Sequence, residues 1–270
     1  LSELYDPPII LYWRGEITQL DRNLITIVGT RRYTDYGRRV VNIIVEPLVR
    51  AGFAIVSGMA LGIDTFAHEA ALSSGGKTIA VLGSGVDVPT PIQNHRLYRQ
   101  ILKTGAVLSE FPLGMQASGF TFPRRNRIVA ALSRGVIVIE AGEKSGALIT
   151  TDQALELGRD VFAVPGNFDS HASVGTNRLI QIGAKLITSA EDVLEEYQSR
   201  KGTAMPNVQT TVTDPIEQAI LDELIKADHL IDDLIVILDI PSGEVLSAIS
   251  SLELQGLVLR EGDRLCMAGR

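Results

Sequence analysis

Ile25-Thr26-Ile27-Val28-Gly29-Thr30-Arg31-Arg32 is a short apolar run that breaks abruptly into glycine, a hydroxyl residue and two arginines. Four consecutive β-branched residues with no polar face read as a strand buried on both sides, and such strands need helices above and below. A helix follows at once, because Val40, Val41, Ile44, Val45 and Leu48 recur at helical spacing across residues 36–50. Ala54-Ile55-Val56 is the next strand, which completes a β-α-β unit. The alternation continues through Ile79-Ala80-Val81-Leu82, Ala106-Val107-Leu108, Val136-Ile137-Val138-Ile139 and Val161-Phe162-Ala163-Val164, with further helical patterns over residues 61–73 and 93–103. The expected fold is α/β: a Rossmann-like open, mostly parallel sheet with helices on both faces.

Around this body, residues 1–20 read as a lead-in from a missing N-terminal domain, 21–197 as the Rossmann-like domain and 198–213 as an aperiodic linker rich in Thr, Gln, Asn and Pro. Residues 214–270 read as a small winged-helix-like domain. Three helices are expected there, over 215–226, 231–238 and 242–255, then strands over 257–260 and 265–267 around a Gly262-Asp263 turn. The third of these helices carries Glu244 and Glu253 but no Lys or Arg. Duplex reading by it is therefore disfavoured, leaving a protein contact or a purely structural part.

The net charge of −7 is unevenly distributed: residues 213–270 hold 12 acidic and 4 basic residues, the remainder 20 acidic and 21 basic. A near-neutral body can hold a strongly basic pocket, since local charge governs phosphate contact. The single cysteine, Cys266, excludes an internal disulfide, and the apolar runs are too short to span a bilayer. No signal peptide is visible, so a cytoplasmic protein without membrane association is expected. His68, His95, His171 and His229 have no metal-ligand spacing. No metal, no cofactor and no catalytic residue is expected.

Phe122-Pro123-Arg124-Arg125-Asn126-Arg127 opens an apolar helix with three arginines, and no Asp or Glu lies between Glu110 and Glu140. With its free N–H groups and partial positive charge, this helix start is suited to anions, a phosphate above all. The loops expected at the strand ends are rich in glycine and hydroxyl residues: 29–37, 57–64, 83–87, 140–148 and 164–167, with 175–178 beyond. Ligands of open parallel sheets collect there, and glycine lets the backbone approach a phosphate. Glu110 and Glu140 are expected to orient the arginines or cap a helix. Gly83-Ser84-Gly85 lacks the third glycine of a dinucleotide fingerprint, since Val88 stands there, and no Walker lysine pattern occurs.

Taken in order, Gly29-Thr30-Arg31, Ser57-Gly58-Met59-Ala60-Leu61-Gly62-Ile63-Asp64, Ser109-Glu110-Phe111, the arginine segment and Lys144-Ser145-Gly146 resemble the DprA/Smf DNA-processing family. Pro165-Gly166, Gly175-Thr176-Asn177 and Gly183-Ala184 extend the resemblance to about residue 197. It implies single-stranded DNA binding without hydrolysis, a homodimer built through the Rossmann-like domain, and loading of the RecA recombinase onto incoming DNA during natural transformation. Carried onto this chain, the DNA pocket would use Arg31, Arg124, Arg125, Arg127 and Lys144. Gly58, Gly83 and Gly146 would give close backbone approach, Ser57, Asn126 and Ser145 would fix phosphates, and Gly166 and Asn177 complete the set. Phe120 and Phe122 are either stacking platforms or packing residues. The expected consequence is that Arg31→Ala or Arg125→Ala weakens single-strand binding and leaves the fold intact.

The alternative is a nucleotide-processing hydrolase on a related scaffold, similar to nucleoside-monophosphate phosphoribohydrolases. Its Pro-Gly-Gly-x-Gly-Thr segment is absent, the nearest stretch being Pro165-Gly166-Asn167 with Gly175-Thr176. An adaptor acting through the acidic tail does not account for the glycine loops and arginines gathered at one sheet edge.

Overall fold

The apolar runs become strands of one eight-stranded sheet. A computed structural model describes residues 1, 3–17, 23–202, 214–226, 228–255, 257–261 and 264–267. The first part of the chain runs β1 (Tyr12–Gly15), β2 (Leu24–Val28), α1 (Asp35–Arg50), β3 (Ala54–Ser57), α2 (Ile63–Ser73) and β4 (Thr78–Val81). A 3-10 turn (Ile92–Asn94), α3 (His95–Thr104), β5 (Ala106–Ser109), α4 (Thr121–Ala131) and β6 (Gly135–Val138) follow. Then come α5 (Gly146–Glu156), β7 (Asp160–Ala163), α6 (Val174–Gln181), β8 (Lys185–Leu186) and α7 (Glu191–Gly202).

The strand order is β1-β5-β4-β3-β2-β6-β7-β8, with β1 antiparallel to β5 and every other pair parallel. β2 lies between β3 and β6, and Thr26 is in register with Val56 on one side and Val136 on the other. Chain direction across the sheet reverses at this strand, so a crevice opens at its carboxyl end. Every residue of β2, β3, β4, β5 and β6 is buried. The polar Thr26 is tolerated there because its hydroxyl donates to Val129 O at 2.9 Å.

Two boundaries differ from the sequence reading. Residues 12–15, assigned to a lead-in, form strand β1 on the sheet edge, while Leu1, Leu11 and Ile17 pack against the core, and Glu3 pairs with Arg159. The β-formers Tyr12 and Trp13 complete an edge that β5 would otherwise leave open. The chain accordingly divides into units Leu1–Glu195 and Glu196–Arg270. At the far end, α7 runs to Gly202 and so takes in the first five residues of the expected linker. Residues 203–213 and the Gly262-Asp263 turn lie outside the described residues.

The second unit contains α8 (Pro215–Lys226), β9 (His229–Leu230), α9 (Ile231–Leu238), α10 (Ser242–Leu254), β10 (Val258–Glu261) and β11 (Arg264–Met267). Its three strands pair in the order β10-β11-β9, and Ile220, Leu224, Leu234, Val245, Ile249 and Leu252 form its core. This is a winged helix.

One buried side chain couples the main core to pH. His68 on α2 is fully buried, with Nδ1 2.6 Å from Thr78 Oγ1. The Thr78 hydroxyl proton is directed to Ile55 O, so the imidazole donates from Nδ1 and its Nε2 is left without a partner. Burial, with the nearby Arg125 charge, pushes the imidazole down to about 3. Because the folded value lies below the ordinary one, the fold holds His68 neutral, and this contribution is lost as pH falls from about 6.5 toward 3. In denaturant titrations the stability is expected to fall by up to about 1.4 kcal/mol per pH unit through that window from this group alone. His68→Gln should flatten that slope, and an unchanged slope would contradict the assignment.

Candidate functional site

At the carboxyl ends of β2 and β3 a cavity of about 560 Å³ opens between the first loop, the start of α4 and the start of α5. Gly29, Thr30, Arg31, Arg32, Gly58, Ala60 and Asp64 line one side; Gly119, Phe122, Pro123, Arg125 and Asn126 line another; Ser145, Gly146, Ala147, Ile149 and Thr150 close the third. The helix starts around it differ in charge. First turns of α1 and α2 contain Asp35 and Asp64, whereas those of α4 and α5 contain no acid. The two helix ends left positive are the ones that line the cavity with their own residues uncompensated.

The floor is built around Arg125. It is 5% exposed, and its Nη1 donates to Gly58 O and Val81 O while Nε donates to Asn126 Oδ1 at 3.1 Å. Two carbonyls at the ends of adjacent strands are thereby pinned by one guanidinium. Gly58 is required for this, since a Cβ there would stand 2.5 Å from Arg125 Nη2. Asp64, 6% exposed, supplies the countercharge and accepts from Gly58 N at 3.1 Å and Ala60 N at 3.3 Å through Oδ2. Burial raises the Asp64 carboxyl against the pull of Arg125, and burial lowers Arg125 to about 10 against the pull of Asp64.

The rim is different. Arg31 and Arg32 are exposed on the first loop, and the Arg31 guanidinium carbon lies 5.1 Å from the centroid of the Phe122 ring. Gly83 makes room for that ring, because a Cβ there would meet Phe122 Cδ1 at 3.1 Å. Glu140, only 2% exposed, accepts from Thr34 N at 2.9 Å and from the Thr34 hydroxyl. The carboxylate thus fixes the cap of α1 and the end of the first loop.

Of the residues named from sequence, the cavity brings together Arg31, Gly58, Phe122, Arg125, Asn126, Ser145 and Gly146. The others stand elsewhere. Arg127 is held by Glu110 and Asp6 O, and Arg124 Nε lies 3.3 Å from Glu110 Oε1, so the arginine run is balanced by an acid, contrary to the charge pattern read along the chain. Ser57 is fully buried and donates to Ile27 O at 2.7 Å, which takes its hydroxyl out of any phosphate contact. Gly83 acts through Phe122. Gly166 and Asn177 bond to each other, Asn177 Oδ1 accepting from Gly166 N at 3.2 Å and its Nδ2 donating to Gly166 O at 3.0 Å, which braces the loop after β7. Lys144 is exposed beside the cavity without lining it. Phe120 is exposed and lines no part of the cavity, unlike the half-buried Phe122 beneath Arg31.

The model of the DNA recombination-mediator protein A family matches residues 1–198, and that of the DprA winged helix domain matches residues 204–264. The chain belongs to the DprA/Smf family. The DNA processing protein DprA of Streptococcus pneumoniae is 49% identical over 198 residues, covering 73% of this chain and 70% of that protein. That of Bacillus subtilis is 46% identical over 213 residues, 78% and 69% of the two chains. Among solved structures, the pneumococcal DprA aligns with a TM-score of 0.70 at 49% identity, over 72% of this chain and 69% of the other. Helicobacter pylori DNA processing protein A, described for its single-stranded DNA binding mode, aligns with a TM-score of 0.68 at 32% identity, over 74% and 91%. Among the described residues no helix is long and apolar enough to cross a membrane.

Two residues of this DprA/Smf site have no role assigned from sequence. Arg32 is overshadowed by its neighbour, although two adjacent arginines straight after a buried strand are a signal in themselves. Asp64 stands within its motif as an unassigned member, yet an acid in the first turn of a helix that follows a glycine loop is placed to bind that loop's amides. The burial of Arg125 also revises the expectation for its removal. Arg125→Ala removes the cation that offsets the buried Asp64 carboxyl and leaves two buried carbonyls without their donor, so it should cost about 3–5 kcal/mol in equilibrium denaturation. Arg31→Ala, at an exposed position, should stay within about 0.5 kcal/mol of the parent.

Proposed function

We propose that this protein is a single-stranded DNA-binding recombination mediator, without enzymatic activity, that protects incoming DNA and loads RecA onto it during natural transformation. The observation that carries this reading is the cavity at the sheet's reversal point, with Arg31 and Arg32 at its rim, Arg125 in its floor and two uncompensated helix starts in its wall. Such a site holds phosphates by charge and by backbone and small polar donors, a form of recognition indifferent to base sequence. The Phe122 ring beneath Arg31 adds an apolar surface beside the charge. Membership of the recombination-mediator family and the likeness to the Helicobacter pylori single-strand binder support the same reading.

We infer further that the protein works in the cytoplasm as a homodimer formed through the Rossmann-like domain, and that the winged-helix domain makes a protein contact. Its third helix, α10, carries Glu244 and Glu253 and no basic residue, which argues against a duplex-reading role for it.

The test is titration of a labelled single-stranded oligonucleotide at two salt concentrations, with a duplex of equal length and a nucleoside monophosphate as competitors. Salt-sensitive binding that prefers the single strand is expected. Arg31→Ala should weaken it and lower the salt slope by about 0.7, the increment that one neutralised phosphate brings on a single strand. Unchanged affinity and slope in that variant would remove the cavity from consideration. Deleting residues 203–270 should leave binding largely in place, and a large loss would assign DNA contact to the winged helix. RecA loading is read separately, as strand-exchange activity on DNA precoated with single-strand-binding protein.

A further inference from the structure

A second cavity, of about 530 Å³, lies at the ends of β6 and β7 and is lined by Thr34, Tyr36, Arg39, Glu140 and the loop after β7 with Pro165, Gly166, Asn167, Ser170 and Ser173. It shares no lining residue with the cavity that holds Arg31. The two are nonetheless adjacent along the chain. Arg32 lines the first and Thr34 the second, so at most about 7 Å of backbone separates these residues.

The chemistry of the second cavity is that of a nucleotide pocket. Tyr36 is 39% exposed, and its hydroxyl donates to Pro165 O at 2.8 Å, which holds the ring in one orientation at the cavity wall. Burial, with the Glu140 charge, raises this phenol, so it remains a protonated donor. Arg39 is exposed one helical turn further along α1 and makes no hydrogen bond or ion pair within the described residues. Ser173 is the decisive group. It is 4% exposed, it faces the cavity, and its hydroxyl has no hydrogen-bond partner among the described residues. Gly166 has no Cβ where one would collide with that hydroxyl, so the absence of a side chain keeps Ser173 Oγ in place. A hydroxyl without a protein partner at the wall of a polar cavity is one that a ligand can bond in place of solvent. The Glu140 carboxylate is already engaged by Thr34 and repels a fully anionic occupant from the cavity's inner end, which leaves Arg39 at the outer end as the phosphate partner.

We propose that this cavity is a second nucleotide subsite, in which a base stacks on Tyr36 and bonds to Ser173 while its phosphate meets Arg39. The inference rests on the single-strand reading above: a strand seated in the first cavity passes over Arg32 and Thr34 and places its next nucleotide here. A free nucleotide has the same chemistry, and the experiment separates the two sources.

Affinities of Tyr36→Ala, Arg39→Ala and Ser173→Ala are compared with the parent for a trinucleotide and for a longer single-stranded oligonucleotide, alongside Arg31→Ala. Loss of one stacked base is expected to weaken the longer oligonucleotide about five-fold or more in Tyr36→Ala, with trinucleotide binding unchanged. Arg39→Ala, at an exposed helix position that cannot disturb the fold, should follow the same pattern. In parallel, deoxythymidine monophosphate is titrated while the backbone amides of residues 166–174 are followed by NMR. Shifts that saturate in the parent and vanish in Arg39→Ala identify a free-nucleotide pocket; length-dependent losses without such shifts identify a strand subsite. Parent-like affinity in all three variants at both lengths, with no amide shifts, overturns the proposal. If the parent binds no oligonucleotide, the function proposed above fails, and the monophosphate titration alone decides this one.

Discussion

A single buried cation organises the site. Arg125 binds the carbonyls that end two neighbouring strand segments, Gly58 O and Val81 O, and its charge is tolerated only because Asp64 lies within the same enclosure. Asp64 in turn holds the amides of the loop it faces. Remove either ion and the other loses the opposite charge that offsets its burial, a situation costlier than the pair itself. The loop after β3, the start of α2 and the start of α4 are therefore held in one arrangement before any ligand arrives. Such preorganisation spares the ligand the cost of ordering these segments.

Burial explains why the arginine run reads differently in one dimension and in three. Along the chain Arg124, Arg125 and Arg127 are equivalent members of a basic cluster. In space they divide: Arg124 and Arg127 share Glu110, which lies ten or more residues upstream, and Arg125 turns inward. The exposed charge at the cavity mouth comes instead from Arg31 and Arg32, on a different loop. Division of labour between a structural arginine and ligand-facing ones cannot be read from local charge pattern, because it depends on which strand ends the fold brings beneath the helix.

Much of the architecture is legible in the sequence because it depends on short-range signals. Apolar runs without a polar face mark β2 to β7, and helical spacing marks α1, α2 and the three helices of the winged helix. The elements that escape such a reading have weak local signals. β1 is four residues of mixed exposure whose strand character comes from pairing with β5, and β8 is two residues long. In the site, the glycines do mark points of close approach, but what approaches differs. Gly58 accommodates Arg125, Gly83 accommodates Phe122 and Gly166 accommodates Ser173. Each of these glycines serves the protein's own side chains first, and only long-range packing discloses that.

The two margins of the sheet differ in a way that bears on how copies of this chain can meet. One margin is the four-residue β1, which runs against the direction of every other strand, and the other ends in β8, two residues long. A growing ribbon needs a long, straight border with regularly spaced free amides and carbonyls, and β8 offers too little of one to template another chain. On the β8 side, contact with another chain is therefore left to side chains rather than to a backbone ladder. A contact of that kind can be tuned one residue at a time.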